Sequence, residues 1–373
     1  MGRHAAGDFQ EVDRLVDDVC AAVGAEIEAL KIPRLAGVVL GGGYGRGEGG
    51  VLEECKIENV KCKIVEGGAS NVGCRLSNDL DFFAVTEHGA PEAETIASIA
   101  AALEPLSKKW TKKLGVDVDF AVKTPWRLKH DESRVMVQEL LRGYCDVAGE
   151  KGEAMFAGLR RVDAAELPWS EAVRLLMNRG MGLLLAKCKI ENVECKIGEA
   201  GEESGSSVAD CRTPSAKCKI ENVECKIGEA GEESGSSVRD FINRNINKCV
   251  LGAGDARLIA KGAYRWKATE RAAALGDKLY SAAVEWKFMP KSEPVCDWET
   301  AREVWLAAEA EVARSSGRTL RNALRWLVRR RTLGAFSTFG LEPEVRVLRN
   351  VSAAIRGRCG ISPSLRRDWE VFN

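Results

Sequence analysis

The sequence lacks an excess of charge of either sign, since 55 Lys and Arg residues balance 55 Asp and Glu residues along 373 positions. The overall charge therefore indicates no particular polyanionic or polycationic partner. The sequence also lacks any run of about 18 apolar residues, the length that a membrane-spanning helix needs. Acidic residues occur close to its N-terminus, and no apolar stretch like that of a signal peptide is present there. We therefore expect a cytoplasmic protein with no membrane partner.

Histidine is scarce, and the signature of a P-loop is missing. The three histidines, His4, His88 and His130, are scattered and form no catalytic pattern. The glycine-rich stretch Gly41–Gly50 does not end in the Lys-Ser or Lys-Thr pair of a P-loop. The sequence therefore indicates neither histidine-based catalysis nor P-loop nucleotide hydrolysis.

Thirteen cysteines are present, but eight of them lie in or beside a repeated segment. The segment 187–208 recurs without a change at 217–238, and a diverged copy begins at Cys55. A solenoid needs at least three stacked units, whereas only two copies adjoin here. We therefore interpret 55–73 and 187–238 as insertions into a pre-existing fold, because surface loops tolerate extra length at small entropic cost.

The sequence of the repeats suggests two local structures, a hairpin and a metal site. The alternation within each CKIENVECKI stretch predicts a small hairpin. The tandem copies could alternatively bind a metal, although their Cys-x6-Cys spacing is wider than the spacing of about two to four residues in structural zinc sites. The four thiolates concerned are those of Cys188, Cys195, Cys218 and Cys225.

Outside the insertions, hydrophobic periodicity predicts an α+β head followed by a helical tail. The predicted elements are helices at 9–30, 95–114 and 132–143 and strands at Leu35–Leu40, Leu80–Thr86, Val116–Val122 and, as a short edge strand, 143–150. From Pro168 onward the remaining pattern is helical. We therefore predict a small mixed sheet flanked by helices in a first domain, 1–160, and an all-α second domain, 161–373.

The glycine-rich stretch GGGYGRGEGG directly follows the first predicted strand. Glycine adopts backbone angles that other residues avoid, and consecutive free N–H groups form a concave anion site. A guanidinium in the same stretch adds a charge-assisted contact. We therefore predict a phosphate-binding turn formed by Gly42, Gly43, Tyr44, Gly45 and Arg46.

Two Asp-x-Asp pairs accompany later apolar runs, namely Asp79 with Asp81 and Asp117 with Asp119. Residues i and i+2 of a strand point to the same face, so each pair presents two carboxylates side by side. Hard oxygen ligands at this spacing suit Mg²⁺ bridged to substrate phosphates. A carboxylate from the neighbouring strand would complete a two-metal site. Two such pairs downstream of a glycine turn favour a metal site over a solvated acidic face.

This order of features resembles the polymerase-β-type nucleotidyltransferase superfamily, whose members have an apolar strand, a Gly-Gly or Gly-Ser turn, a D-x-[DE] strand and a third acid on another strand. The resemblance places the turn at Gly42 and Gly43, metal binding at Asp79 and Asp81, and the third acid at Asp119, with Asp117 as the alternative. It implies Mg²⁺ or Mn²⁺ as cofactor and a nucleoside triphosphate as substrate. The nucleoside monophosphate would pass to a hydroxyl of a small molecule, a protein or an RNA, with release of pyrophosphate.

One departure from that family concerns spacing. Gly43 and Asp79 are 36 positions apart, whereas the family keeps the turn and the acid pair close in sequence. Deleting Cys55–Gly73 removes 19 of these positions and nearly restores the family spacing. The spacing therefore supports the interpretation of 55–73 as an insertion.

The C-terminal stretch 314–373 contains thirteen Arg, no Lys and four acids. Helical spacing places Arg321, Arg325 and Arg329 on one face, beside Trp326. Such a face could contact RNA or a nucleotide tail. A solvated face, or pairing with the acidic insertions, accounts for it equally well.

Two other functions stay open. The chain could keep the nucleotidyltransferase fold but act as an inactive module that binds a nucleotide, an RNA or a partner protein. A dinucleotide-dependent oxidoreductase would use Gly45, Gly47 and Gly50 as a G-x-G-x-x-G motif. That function leaves both Asp pairs unexplained, and no apolar helix follows the glycines.

Overall fold

A computed structural model describes residues 2–53, 74–89, 92–201, 235–315, 343–357, 361 and 363–372. They divide into two compact units. The first unit comprises Met1–Pro168, Gly262–Gly276 and Val284–Lys291, and the second comprises Trp169–Lys261, Asp277–Ala283 and Ser292–Asn373. The chain leaves the first unit eight residues after the predicted boundary at 160, and two later segments belong to the first unit as well.

The described residues form six strands and thirteen α-helices. The strands are β1 (Leu35–Leu40), β2 (Val51–Glu53), β3 (Cys74–Leu76), β4 (Leu80–Thr86), β5 (Val118–Lys123) and β6 (Cys145–Gly149). The helices are α1 (Gln10–Leu30), α2 (Gly42–Gly45), α3 (Glu92–Leu114), α4 (Pro125–His130), α5 (Val135–Leu140), α6 (Gly152–Met155), α7 (Trp169–Gly201), α8 (Gly235–Lys261), α9 (Ala268–Leu275), α10 (Lys278–Phe288), α11 (Trp298–Ser315), α12 (Pro343–Ile355) and α13 (Pro363–Phe372). The predicted mixed α+β class, a small sheet flanked by helices, is confirmed.

The central sheet has four strands in the order β5-β4-β1-β6. β1 pairs antiparallel with both β4 and β6, and β4 pairs parallel with β5. Helix α3 connects the two parallel strands, which cannot be joined by a tight turn. β6 lies at an edge, as predicted from its short, mixed sequence.

Each face of this sheet has its own apolar core. On one face, alternate residues of the strands, among them Leu40, Leu80 and Phe82, pack with α1 and α3. On the other face, Val39 and Phe83 pack with α4, α5 and α6. Burying such a side chain contributes roughly 1.5–3 kcal/mol each. The strand segment that begins β4 is therefore held firmly from both sides.

The segment 55–73, predicted to be an insertion, lies outside the described residues, but its two ends are well placed. β2 and β3 form a separate two-stranded antiparallel sheet with Val51 opposite Leu76 and Glu53 opposite Cys74. The chain therefore leaves β2 and re-enters the sheet in β3 at positions that pair with each other. Such an arrangement accommodates extra residues without altering the central sheet.

The second unit is built on long helices. Indole N–H groups of two tryptophans of α11 donate to backbone carbonyls of α7, Trp298 to Leu183 and Trp305 to Leu176, each at 2.9 Å. Trp305 is fully buried between these helices. Within the described ranges, no helix is both long and apolar enough to cross a membrane.

The hairpin predicted for the first tandem repeat is wrong. Residues 188–197 continue α7, which runs without interruption from Trp169 to Gly201. The repeat contains no proline and is rich in Lys and Glu, which are good helix formers. Adding a turn to an existing helix costs less than nucleating a hairpin, so the helix extends through the alternating pattern. The side chains of Cys195, Cys218 and Cys225 lie outside the described residues.

Candidate active site

The first element of the candidate site is the turn that ends β1. The N–H of Gly41 donates to the carbonyl of Asp81 at 2.8 Å. The next four residues form the single helical turn α2, and the N–H of Glu48 donates to the carbonyl of Gly43 at 2.8 Å. The glycine stretch is therefore a compact turn that packs on the first residues of β4.

Gly42 brings the backbone of this turn against the carboxylate of Asp81. Its φ of +60° lies in the left-handed region that favours glycine. A Cβ at this position would overlap Asp81 Oδ2 and would lie 3.0 Å from Asp81 Cγ. Any larger residue would therefore strain the backbone and displace the carboxylate.

Asp81 and Asp119 are register partners on the parallel strands β4 and β5. Neighbouring strands lie about 4.8 Å apart, and paired residues project to the same face. Asp81 is half-buried and Asp119 is exposed. The rings of the next pair, Phe82 and Phe120, stack with their centroids 5.1 Å apart, which supports this register from the opposite face.

The outer aspartate of each pair lies one residue before its strand. Asp79 is half-buried and precedes β4, and Asp117 is exposed and precedes β5. The strand predicted at Val116–Val122 thus begins two residues later, at Val118. The carbonyl of Asp117 accepts a hydrogen bond from Leu80 N–H at 2.8 Å, so the pairing of the two strands begins there. Only the inner aspartates belong to the regular sheet.

The inner carboxylates fit a divalent cation of the Mg²⁺ type. Mg²⁺ prefers oxygen ligands and is usually bound by one or two carboxylates together with water and substrate phosphates. Within the described residues, no group of three or more His, Cys, Asp or Glu side chains is arranged to hold a metal ion by itself. Joint metal binding by Asp79, Asp81 and Asp119 stays a prediction. A cation at Asp81 and Asp119 would need substrate phosphates as further ligands.

Tyr44 has a structural position within the turn. Its side chain is fully buried, and its hydroxyl donates to the Gly50 carbonyl at 2.6 Å. The same hydroxyl oxygen accepts hydrogen bonds from the N–H groups of Ser77 and Asn78 at 3.1 and 3.4 Å. Burial raises the pKa of Tyr44 to about 12. Tyr44 thus joins the turn to the residues just before Asp79, and because the residue is fully buried its predicted contact with a nucleotide is not available in this structure.

Arg46 lies in a buried network of charges. Its Nη1 is 3.1 Å from Glu139 Oε2, and its Nη2 is 3.6 Å from Glu48 Oε2. Lys287 Nζ is 3.5 Å from Glu48 Oε2, and Arg271 Nη1 is 4.0 Å from Glu139 Oε1. Three cations therefore surround two carboxylates, and the network keeps an excess positive charge next to the turn.

Burial and the neighbouring charges shift the pKa values of Glu48 and Lys287 in this network. Burial favours the neutral form of Glu48, but Lys287, the N–H of Ala268 and the two arginines outweigh it and hold the pKa of Glu48 below its usual value. Burial lowers the pKa of Lys287, although Glu48 opposes that shift. Glu48 is therefore the anion on which the surrounding cations depend.

The N-terminal segment contacts the other side of the glycine turn through a β-bridge and a histidine side chain. Ala5 forms a parallel bridge with Gly49, and the fully buried His4 approaches the carbonyl of Tyr44 with Nδ1 at 3.1 Å. His4 Nε2 lies 3.1 Å from Asp17 Oδ1, and Cys145 Sγ lies 3.8 Å from Nδ1. Burial opposes a charge on His4, but the hydrogen bonds to these three partners outweigh it and raise its pKa to about 9.

Sequence reasoning missed both the charge network and the His4 contacts. Arg271 and Lys287 belong to the segments 262–276 and 284–291, far along the chain from Arg46. No local spacing indicates such contacts, because they arise from tertiary packing. The partners of His4 lie on α1, the turn and β6, so its position in the sequence does not indicate them either.

The Arg-rich face predicted at Arg321, Arg325 and Arg329 lies outside the described residues. Comparison of the chain with protein-family models, with curated proteins and with solved structures found no match.

Proposed function

We propose that this chain is a Mg²⁺-dependent nucleotidyltransferase whose first unit has the polymerase-β-type fold. The observation that carries the proposal is the register pairing of Asp81 with Asp119, with the backbone of Gly42 packed against Asp81. The connection of β1 through the glycine turn to an antiparallel acid strand supports the same family pattern. Of the three acids in that pattern, Asp81 and Asp119 are register partners, and Asp79 lies one residue before β4.

The glycine turn and the charge network would receive the triphosphate. Gly42 and Gly43 would let the substrate approach the backbone closely, whereas Gly45 is buried against the carbonyls of Leu40 and Gly143. The excess positive charge around Arg46 favours an anion beside the turn, because a low-dielectric surrounding strengthens such an attraction. Tyr44 keeps the turn in shape through its hydroxyl. These residues would position the α-phosphorus near the two carboxylates.

In the proposed transfer, an acceptor hydroxyl oxygen forms a bond to the α-phosphorus while the bond to the bridging oxygen of the β-phosphate breaks. Asp119, the exposed carboxylate of the pair, would accept the proton of that hydroxyl. Asp81 and Asp79 would hold the cation-bound triphosphate in place. Bound Mg²⁺ or Mn²⁺ would neutralise the charge that develops on the phosphates. Pyrophosphate leaves as the second product.

Label transfer tests this proposal. The purified chain is mixed with each α-labelled nucleoside triphosphate, with Mg²⁺ or Mn²⁺ and with a cell extract as the source of acceptor. Label should enter RNA, protein or a small molecule, and the Asp81→Asn variant should lose this transfer while melting at nearly the same temperature. The chemical class of the labelled product would identify the acceptor.

Two results would reject the proposal. Full transfer by Asp81→Asn would remove the carboxylate mechanism. Nucleotide binding by the intact chain without any transfer would favour the alternative, a nucleotide-binding module on the same fold.

A further inference from the structure

A second surface of the first unit combines an exposed aromatic pair with clustered cations. Trp126 is 59% exposed, although tryptophan is ordinarily well buried. Its ring stacks on His130, with centroids 5.2 Å apart and an interplanar angle of 25°. Both residues belong to α4, which follows β5 directly. We call this region, 123–134, the α4 surface.

One buried carboxylate organises the cations of the α4 surface. Asp131 is only 5% exposed. Its Oδ2 lies 3.1 Å from Arg127 Nε, and its Oδ1 lies 3.1 Å from both Arg134 Nε and His130 Nδ1. The aromatic stack and two guanidinium groups are therefore fixed together around a single anion. Such preorganisation lowers the entropy cost of binding a ligand.

The charge of the α4 surface is positive. Residues 123–134 contain four Lys and Arg residues against two acids, with His130 in addition. Arg127 and Lys129 have side chains that are 44% and 57% exposed, whereas the Asp131 side chain is almost fully covered. Lys129 Nζ also lies 2.7 Å from Glu132 Oε2, so the exposed cations of this surface are Arg127 and Lys129, each beside one acid.

We propose that the α4 surface binds single-stranded nucleic acid, with a base stacked on Trp126 and backbone phosphates near Arg127 and Lys129. Every base has a π-face, so an exposed aromatic residue beside cations accepts a strand without sequence preference. An acidic protein segment would match the charge but would leave the Trp126–His130 stack without a role. This inference does not depend on nucleotidyl transfer.

Fluorescence anisotropy of the full chain with a labelled single-stranded RNA oligonucleotide tests the inference. Trp126→Ala should weaken binding roughly tenfold, and Trp126→Phe should restore most of it, because stacking needs a flat ring. Arg127→Ala should weaken binding, whereas Arg34→Ala should not, although Arg34 is also an exposed arginine paired with an acid.

The position of the bound strand is tested by crosslinking the same RNA, carrying 4-thiouridine, to the unchanged chain. Crosslinks should map to residues 123–134. Equal affinity of Trp126→Ala and the unchanged chain, or crosslinks confined to residues 314–373, would overturn the inference. If a poly-glutamate peptide of equal charge competes as strongly as unlabelled RNA, the surface is assigned to an acidic protein segment instead.

Discussion

Gly42 packs so closely on Asp81 that a Cβ on Gly42 would lie 3.0 Å from the carboxylate carbon of Asp81. This contact links the glycine turn to the acid strand β4. The turn sets where a substrate phosphate can approach, and Asp81 sets where a cation can be held. A change at Gly42 should therefore affect transfer more than stability.

Gly42→Ala should reduce the transfer rate on the order of a hundredfold, because small displacements of a reacting group have effects of that size. The matched control is Gly276→Ala, where φ is +64° but a Cβ would meet nothing within 4 Å. Both variants should lose about 1–2 kcal/mol of stability from the left-handed backbone. Equal transfer rates in the two variants would show that the Gly42–Asp81 contact does not matter for the reaction.

His4 should make the stability of the protein depend on alkaline pH. Its folded pKa of about 9 lies above the unfolded value of 6.5, so its contribution is fully present below pH 6.5 and is lost as pH rises toward 9. The loss should amount to about 3 kcal/mol in the free energy of unfolding. Denaturant titrations at pH 6 and pH 9.5 measure it, and a His4→Asn variant should lack this part of the slope. Parallel slopes in the two proteins would contradict the assignment.

Glu48 should be essential to the charge network. Glu48→Gln leaves Arg46, Arg271 and Lys287 against the single carboxylate of Glu139, and because Glu48 is buried, removal of this partner should cost roughly 3–5 kcal/mol. Adding Lys287→Met should recover part of that loss, because burial already disfavours the charge of Lys287. A thermodynamic cycle of the two variants measures the coupling. Strictly additive losses would show that Glu48 and Lys287 act independently.

Residues 54–73 should be dispensable for folding. Joining Glu53 to Cys74 through an Asn-Gly turn keeps their register pairing. Shortening the connection tenfold should raise stability by about 2 kcal/mol through loop entropy. Thermal melting and label transfer check this expectation, and a deletion that also removes the buried Val51 and Leu76 should fail. An unfolded product from the shorter deletion would mean that 54–73 is part of the fold.

The sheet and the turn could be predicted from sequence because their signals are local. Each of these signals spans only a few residues. They are the apolar runs of β1 and β4, the glycines between them and the Asp-x-Asp spacing. The pairing of Asp81 with Asp119 could be proposed but not the register itself, because the start of β5 depends on hydrogen bonding of Leu80 to Asp117.

The first tandem repeat shows where local pattern misleads. Its alternation favours a strand, but α7 already extends into it, and helix propagation prevails. The Arg46 network shows the opposite limit. Its members Glu48, Arg271 and Lys287 come into contact only after folding, so no spacing in the sequence predicts their contacts.

The most direct test of the account compares label transfer by Asp119→Asn and Asp117→Asn under identical conditions, with Mg²⁺ and an acceptor identified beforehand. Asp119 is the register partner of Asp81, whereas Asp117 lies before the strand. We expect Asp119→Asn to lose transfer by at least about a hundredfold, a typical contribution of a general base, and Asp117→Asn to keep most of it. Loss in Asp117→Asn with full transfer in Asp119→Asn would contradict the pairing of Asp81 and Asp119 as the centre of the site.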